Sequence, residues 1–360
     1  MAAVNAAGGP TQPAVFLGVD GGGTKTALCV LTEQGEVLAE LLAPSCYHLE
    51  GDGTTDVTRD VLAAAVARVC AEAGTAPAAV EFAFFGLPAY GEVASDVPVL
   101  DALPADLLGH DRYAVDNDVV AGWAGSLGGA DGIGVVSGTG SIAYGRNGTR
   151  TARVGGWGEG FGDEGSGHWL GLRALQEFSR MSDGRRAPGP LLDVLREHLS
   201  LRTDLEVVDV VLNRWRRSRR EVAALSRPLV EAARRGDAVA AGVLEEAAAE
   251  LVALVVAART RTGFADDAVV PVSRSGGVLA VPEVAEGFAR RLSALGGYDV
   301  RTPRFEPSRG AALLAARLSG RPLAPQALER VERTAAEVVD ATGVVAGWNP
   351  AVVPGSGISK

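Results

Sequence analysis

Two short segments of this 360-residue chain combine residue types suited to holding phosphate. The first is Asp20-Gly21-Gly22-Gly23-Thr24-Lys25-Thr26: one acid, three glycines, then a lysine between two hydroxyls. Glycine lacks a Cβ, so such a backbone can take positive φ and come close to a ligand. Turn N–H groups aimed one way, with a cation and hydroxyls beside them, suit an anionic oxygen. Asp20 can serve a hydrated Mg²⁺, which binds through few carboxylates and completes its shell with phosphate and water. The second segment, Ser137-Gly138-Thr139-Gly140-Ser141, offers small residues and hydroxyls without the acid or the lysine. Neither is a P-loop, which needs Lys directly after its last glycine and a helix following. Taken alone, the first segment reads equally well as a Gly-rich hairpin with a surface lysine.

The elements around both segments are similar. Ala14–Asp20, Thr26–Leu31 and Val37–Leu42 read as a three-strand meander with glycine turns. Gly132–Val136, Ile142–Tyr144 and Thr149–Val154 repeat that order, with Asn147-Gly148 as a hairpin turn. Two copies about 115 residues apart suggest an internal duplication, which can bring two Gly-Thr turns onto one polyphosphate. Between the copies, Thr55–Ala73 has helical apolar spacing, Val80–Phe85 and Arg112–Val115 read as strands, and a helix follows Asp118 through Trp123. After the second copy the spacing predicts helices over Asp163–Phe178, Pro190–Leu199, Val207–Trp215, Glu221–Arg235 and Val239–Arg261. Strands at Val269–Ser273 and Tyr298–Arg301 alternate with helices at Pro282–Leu292, Ser308–Leu318 and 324–343. The expected fold class is thus α/β. Residues 1–13 form a disordered lead-in, 14–130 and 131–320 two lobes, the second with a helical insertion over about 170–262, and 321–360 a helix and tail.

Composition removes several functions. A net charge of −10 argues against nucleic acid or an anionic membrane as a general partner, so a nucleotide site must be locally positive. The run Arg214-Trp215-Arg216-Arg217-Ser218-Arg219-Arg220 then reads as a solvated helix end. No apolar stretch approaches a membrane span, and the N-terminus lacks a signal-peptide pattern, so cytoplasm is the expected location. The three cysteines, Cys29, Cys46 and Cys70, form neither a CxxC motif nor a disulfide framework. No His/Cys spacing suggests zinc, and His110, His168 and His198 read as structural or solvated.

The glycine-threonine-lysine turn, the Ser137–Ser141 turn, Gly155-Gly156-Trp157-Gly158 followed by Gly162-Asp163-Glu164-Gly165-Ser166, and the late Ser275-Gly276-Gly277-Val278 together resemble the N-acetylglucosamine kinase/BadF-type ATPase family. The motifs stand in that family's order from Val15 to about Arg317. The resemblance implies a duplicated actin-like, hexokinase-like ATPase fold (ribonuclease H-like), two lobes with a cleft between them, ATP with Mg²⁺, and a sugar as acceptor. It assigns Asp20 to Mg²⁺, Gly21, Gly22, Gly23, Thr24 and Lys25 to the first phosphate segment, and Gly138, Thr139, Gly140 and Ser141 to the second. It assigns Ser275, Gly276, Gly277 and Val278 to adenosine, and Asp118 to the base that accepts the proton of the 6-hydroxyl. Gly156, Trp157 and Asp163 match sugar-contacting positions, and Tyr47, His48 and Tyr90 stand in the loops expected to line the same pocket. Tyr47 aligns where kinases of N-acetylglucosamine carry an Asn, and Pro88-Ala89-Tyr90-Gly91-Glu92 replaces the family's small residue after the fourth strand. The scattered cysteines argue against the branch that bridges an iron–sulfur cluster.

The expected activity is ATP-dependent formation of N-acetylglucosamine 6-phosphate by a homodimer. Glucosamine, another hexose or a cyclitol is the alternative acceptor, and an ATPase driving a partner protein the alternative class. Structural readings stand beside the functional ones. Asp20 also fits a turn acid, Asp116 rivals Asp118, and Asp118 also fits a helix cap. Trp157 also fits a core aromatic, and Asp163 and Ser166 also fit caps of the next helix.

Overall fold

A computed structural model of the chain describes residues 13–49 and 54–342, with side chains through residue 334. The lead-in before Pro13 and the tail from Asn349 lie outside the described residues. The first half runs β1 (Val15–Gly21), β2 (Lys25–Thr32), β3 (Val37–Pro44), α1 (Thr55–Glu72), β4 (Phe82–Leu87), α2 (Val97–Leu108), β5 (Tyr113–Asn117) and α3 (Asp118–Leu127). The second begins β6 (Gly132–Ser137), β7 (Ser141–Asn147) and β8 (Arg150–Gly155). Helices follow: α4 (Gly167–Ser182), α5 (Pro190–His198), α6 (Glu206–Asp209), α7 (Arg219–Ala224), α8 (Ser226–Arg234) and α9 (Ala238–Thr262). The described chain closes with β9 (Val270–Ser275), α10 (Pro282–Leu295), β10 (Tyr298–Arg301), α11 (Pro307–Leu318) and α12 (Pro325–Thr342).

These elements form two units, each with its own five-stranded sheet. In the first the strand order is β3-β2-β1-β4-β5, with β1, β2 and β3 antiparallel and β4 and β5 parallel to β1. In the second it is β8-β7-β6-β9-β10 with the same directions. The duplication suggested by the two meanders therefore extends to the whole sheet.

In the first unit β1 is buried on both faces, as a central strand should be. Leu17 and Val19 point to one side, into a core with Leu62, Val66 and Val69 of α1. Gly18 points to the other, where a Cβ would lie 2.2 Å from Ala312 N and Ser308 O of α11, so only glycine lets that helix lie on the strand. Helices α3 and α11 approach as closely, since a Cβ on Gly310 would fall 2.0 Å from Gly125 N. Arg309 of α11, buried, ties β3 to this layer through two bonds to Glu40, 2.6 and 2.7 Å, and donates to the Val331 carbonyl of α12 at 3.1 Å.

Arg304–Val338 belong to the first unit, so α11 does not continue the second lobe as the order of elements suggests. Backbone bonds from Arg304 and Phe305 to Ser126 and Gly125, each 3.0 Å, mark the return. Helix α2 interrupts a stretch without a helical reading, because Pro98 and Pro104 disguise its pattern.

In the second unit the core joins Ile133 and Val135 of β6 to Leu170 and Ala174 of α4, Leu251 and Val255 of α9, and Phe288 of α10. The expected helix over Val207–Trp215 is one turn of α6 and a π turn at Val210–Arg214, and Glu221–Arg235 is the pair α7 and α8. Helix α4 starts at Gly167, not Asp163: Asp163 has φ of 58°, outside helical geometry, and Ser166 is the cap, accepting the Trp169 N–H at 3.2 Å. No described helix is long and apolar enough to cross a membrane.

Candidate active site

In the first unit the Gly21–Lys25 turn is closed by the Gly22 N–H donating to the Lys25 carbonyl at 2.9 Å. Ser45, just after β3, braces it by donating its hydroxyl to the Gly22 carbonyl at 2.8 Å, and itself accepts the Tyr47 N–H at 3.1 Å. None of the three glycines adopts positive φ, so the expected reason for the triplet is replaced by space. A Cβ on Gly21 would stand 2.6 Å from Cys46 Sγ and 2.8 Å from Pro88 Cδ, whereas Gly23 opens onto nothing within 4 Å. Gly23, Thr24 and Lys25 are exposed and form the tip.

Asp20 sits one residue before this turn, in register with Gly86 of β4, which pairs in turn with Asp116 of β5. Parallel strands in register put these residues in one row on one face. Gly86 leaves a gap there, and the start of α3 fills it: a Cβ on Gly86 would lie 3.2 Å from Asp118 Cα and 3.0 Å from Ala121 Cβ. That approach brings Asp118 within electrostatic reach of Asp20. Burial first, and then the Asp118 charge, push the Asp20 carboxyl up to about 7; Lys25 opposes the shift and Glu306 adds to it.

Capping of α3 falls to Asn117, whose side chain accepts the Val119 N–H at 3.2 Å and donates to the Tyr90 carbonyl at 3.3 Å. Asp118 is the first helical residue, so its carboxylate is not the cap. Its rival Asp116 accepts its neighbour's backbone N–H, Asn117, at 2.7 Å. His48 is buried, its Nε2 3.0 Å from Asp96 Oδ2 and its Nδ1 3.4 Å from the Thr58 hydroxyl. The ring braces the loop after β3 against α1 and the start of α2 and does not line an open pocket. Tyr90 is half-buried and donates its hydroxyl to Asp101 at 2.7 Å; burial and that bond hold the phenol above its usual range. Tyr47 is half-buried beside the braced turn.

In the second unit the corresponding turn is closed by the Gly138 N–H donating to the Gly140 carbonyl at 2.9 Å. Two of its hydroxyls hold the chain: Ser137 donates to the Gly165 carbonyl at 2.8 Å and Ser141 to that of Glu164 at 2.7 Å. Ser141 is buried, so its hydroxyl is an anchor and not the phosphate donor expected of it; Thr139 is exposed at the tip. The first amides of α4 reach back, Gly167 to Gly138 O at 2.8 Å and His168 to Thr139 O at 3.2 Å. Ser275–Val278 abuts the same turn. Gly276 takes φ of 94° with no room for a Cβ, 2.3 Å from Ser137 O, and the Val278 N–H donates to Ser137 O at 3.0 Å. Gly277 is exposed, and Val278 is buried.

Asp163 joins this group. It is buried in a left-handed conformation that non-glycine residues seldom adopt, and accepts from Arg219 Nη2 at 2.7 Å. A Cβ on Gly140 would lie 2.8 Å from Asp163 Oδ2, so the carboxylate rests on the turn. Gly156, at φ of 68°, donates its N–H to Ser141 O at 2.9 Å. Trp157 is 71 % exposed and Phe161 82 %, which removes the core-aromatic reading of Trp157. Arg219 escapes sequence reading because it lies in a basic run whose other arginines, Arg214, Arg216, Arg217 and Arg220, are solvated. Gly86 carries no chemical group to notice.

Among the described residues no three His, Cys, Asp or Glu side chains cluster to cage a metal. Asp20 beside Asp118, with its carboxyl driven upward, suits a cation that takes one protein carboxylate and completes its shell from phosphate and water, as Mg²⁺ does.

The sequence profile of the BadF/BadG/BcrA/BcrD ATPase family matches residues 17–315. The chain belongs to that family. An N-acetylmuramic acid/N-acetylglucosamine kinase of Clostridium acetobutylicum is 31 % identical over 265 residues, 73 % of this chain and 85 % of the relative. An N-acetyl-D-glucosamine kinase of Dictyostelium discoideum is 27 % identical over 311 residues, 84 % and 97 % of the two chains. The crystal structure of a candidate N-acetylglucosamine kinase from Chromobacterium violaceum superposes with a TM-score of 0.65 at 24 % identity, over 85 % of this chain and all of that one. The two mixed sheets are thus the duplicated actin-like ATPase fold of this BadF-type family member.

Proposed function

We propose that the chain is an ATP-dependent sugar kinase that transfers the γ-phosphoryl group of ATP to the 6-hydroxyl of N-acetylglucosamine. The observation that carries this reading is the Asp20–Asp118 pair over Gly86, one carboxylate near the end of β1 and one on the first residue of α3. An upward-shifted Asp20 carboxyl beside a second acid allows a division into a metal-side group and a base. Asp118, relieved of capping by Asn117, orients the acceptor hydroxyl and takes its proton as the bond to phosphorus forms. Asp20 holds Mg²⁺, which when bound neutralises charge on the phosphate oxygens. Lys25 with the Gly22–Thr24 backbone binds phosphate oxygen in the first unit, and Thr139 with the Gly138–Gly140 backbone does so in the second. Gly277, where a Cβ would meet nothing within 4 Å, leaves room for the adenosine, Gly276 turns that segment against Ser137, and Asp163 with Trp157 binds the sugar. The names of the Clostridium acetobutylicum and Dictyostelium discoideum relatives support the choice of acceptor.

The partner-driving ATPase is disfavoured by the thiols. All three cysteines are buried, and burial pushes Cys46 and Cys70 up to about 11, leaving no accessible thiolate to share a cluster. A coupled ADP-release assay over a sugar panel tests the proposal. ADP should appear only slowly without sugar and fastest with N-acetylglucosamine. Equal ADP release with and without every sugar would overturn it.

A further inference from the structure

Arg219 is the one arginine of its run that turns inward, and its surroundings fix it firmly. Helix α7, which it opens, lies so close to α4 that a Cβ on Gly171 would stand 1.9 Å from the Val222 carbonyl. Helix α4 is in turn stitched to Gly138 and Thr139 through its first amides. The guanidinium therefore has a set place on the second Gly-Thr turn: its Nη2 would lie 2.5 Å from a Cβ on Gly140, so it rests directly against the turn.

Its hydrogen bonding is incomplete. A guanidinium carries five N–H donors in a planar fork. One goes to Asp163 Oδ2 at 2.7 Å. The Nε group is buried and makes no hydrogen bond, with Glu159 Oε2 the nearby acid at 3.4 Å. A buried donor without an acceptor costs stability unless a ligand supplies one. The surrounding charges are the acids Asp163 and Glu159, with His168 beside them, so the acceptor that completes the fork must be anionic enough to compete with carboxylates.

We infer that Arg219 is a nucleotide-binding residue, donating to a phosphate oxygen held at the Gly138–Gly140 turn while its other arm keeps Asp163. This rests on the kinase reading and deepens it. The second turn, which has no lysine of its own, receives its cation from the helical insertion, and one fork joins the phosphate end of the site to the carboxylate proposed for the sugar. Guanidinium is the fitting group, because its geometry matches phosphate oxygens in pairs.

The test is calorimetric titration of the full chain with ATP·Mg²⁺ and, separately, adenosine. Arg219→Ala should weaken ATP about tenfold or more while changing adenosine less than about twofold, the scale of one lost charged hydrogen-bond pair. Arg219→Lys, which keeps the charge without the fork, should recover part of the loss. A purely structural arginine would instead weaken ATP and adenosine alike, or neither, and either result overturns the inference. Should Arg219→Ala fail to fold, Arg219→Gln carries the same expectation. A wild-type chain that binds no ATP would refute the kinase reading itself; one that binds ATP as tightly with Arg219→Ala as without refutes only this assignment.

Discussion

The two sheets share strand order and directions, yet their equivalent first strands end in different chemistry. β1 ends in Asp20, beside Asp118, with a lysine at the turn; β6 ends in Ser137, whose hydroxyl is spent on the Gly165 carbonyl, and its turn carries no charge of its own. In the first unit the acids stand close together, and electrostatic tension is concentrated on one carboxyl. In the second the hydroxyls of Ser137 and Ser141 stitch the turn to the segment that carries Asp163. The difference teaches that duplication preserved a backbone while the side chains divided the labour: the acidic copy suits metal and proton chemistry, the hydroxyl-rich copy suits holding an anion rigidly.

The sharpest way to break this division is Asp118→Asn. Turnover should fall by at least about 10²-fold, the scale of losing a general base, with ATP affinity held within about twofold. Near-normal turnover in a steady-state assay would move the base to Asp116 or remove it. Smaller effects come from the turn tips. Gly23 and Gly138 meet no atom within 4 Å of an added Cβ and do not use positive φ, so Gly23→Ala and Gly138→Ala should melt within about 1 °C of wild type. Both should nonetheless weaken ATP by about threefold or more, because the added methyl meets only the ligand. Unchanged affinity in both would mean that neither tip approaches the nucleotide.

The mildest effect concerns the acid pair without ligand. The Asp20 carboxyl, at about 7, lies above its ordinary value of 3.8, so its ionised form costs the folded chain stability above pH 7, and the cost fades as pH falls toward the ordinary value. Asp20→Asn should therefore raise the Tm of the ligand-free chain by about 2 °C or more near pH 8, and by less as the solution is acidified. Identical melting of the two proteins across that range would remove the burial and charge repulsion assigned to this pair.

Much of the acidic copy was legible in sequence, because Asp20, Lys25 and Asp118 are few, charged and placed at strand ends. The glycines were legible as a motif but not in their cause: Gly21 is required by Cys46 and Pro88, residues far along the chain, and not by φ. His48 looked available, and only the fold reveals that Asp96 and Thr58 occupy both ring nitrogens. Asp163 looked like the first residue of a helix because acids favour that place, whereas its left-handed conformation ends any helix there. Arg219 was hidden by its neighbours, since charge patterning averages over a run and cannot single out the one side chain that tertiary contacts fold inward. The return of α11 to the first unit was equally hidden, for nothing local distinguishes a helix that covers one sheet from a helix that covers another.

The central claim is that the acidic and the hydroxyl-rich turns both hold nucleotide phosphate, and a calorimetric titration of ATP·Mg²⁺ into wild type, Lys25→Ala and Thr139→Val tests it most directly. Wild type should bind ATP·Mg²⁺, and each variant should weaken that binding by about tenfold with sugar affinity nearly unchanged. An isotherm left untouched by either substitution would contradict the account.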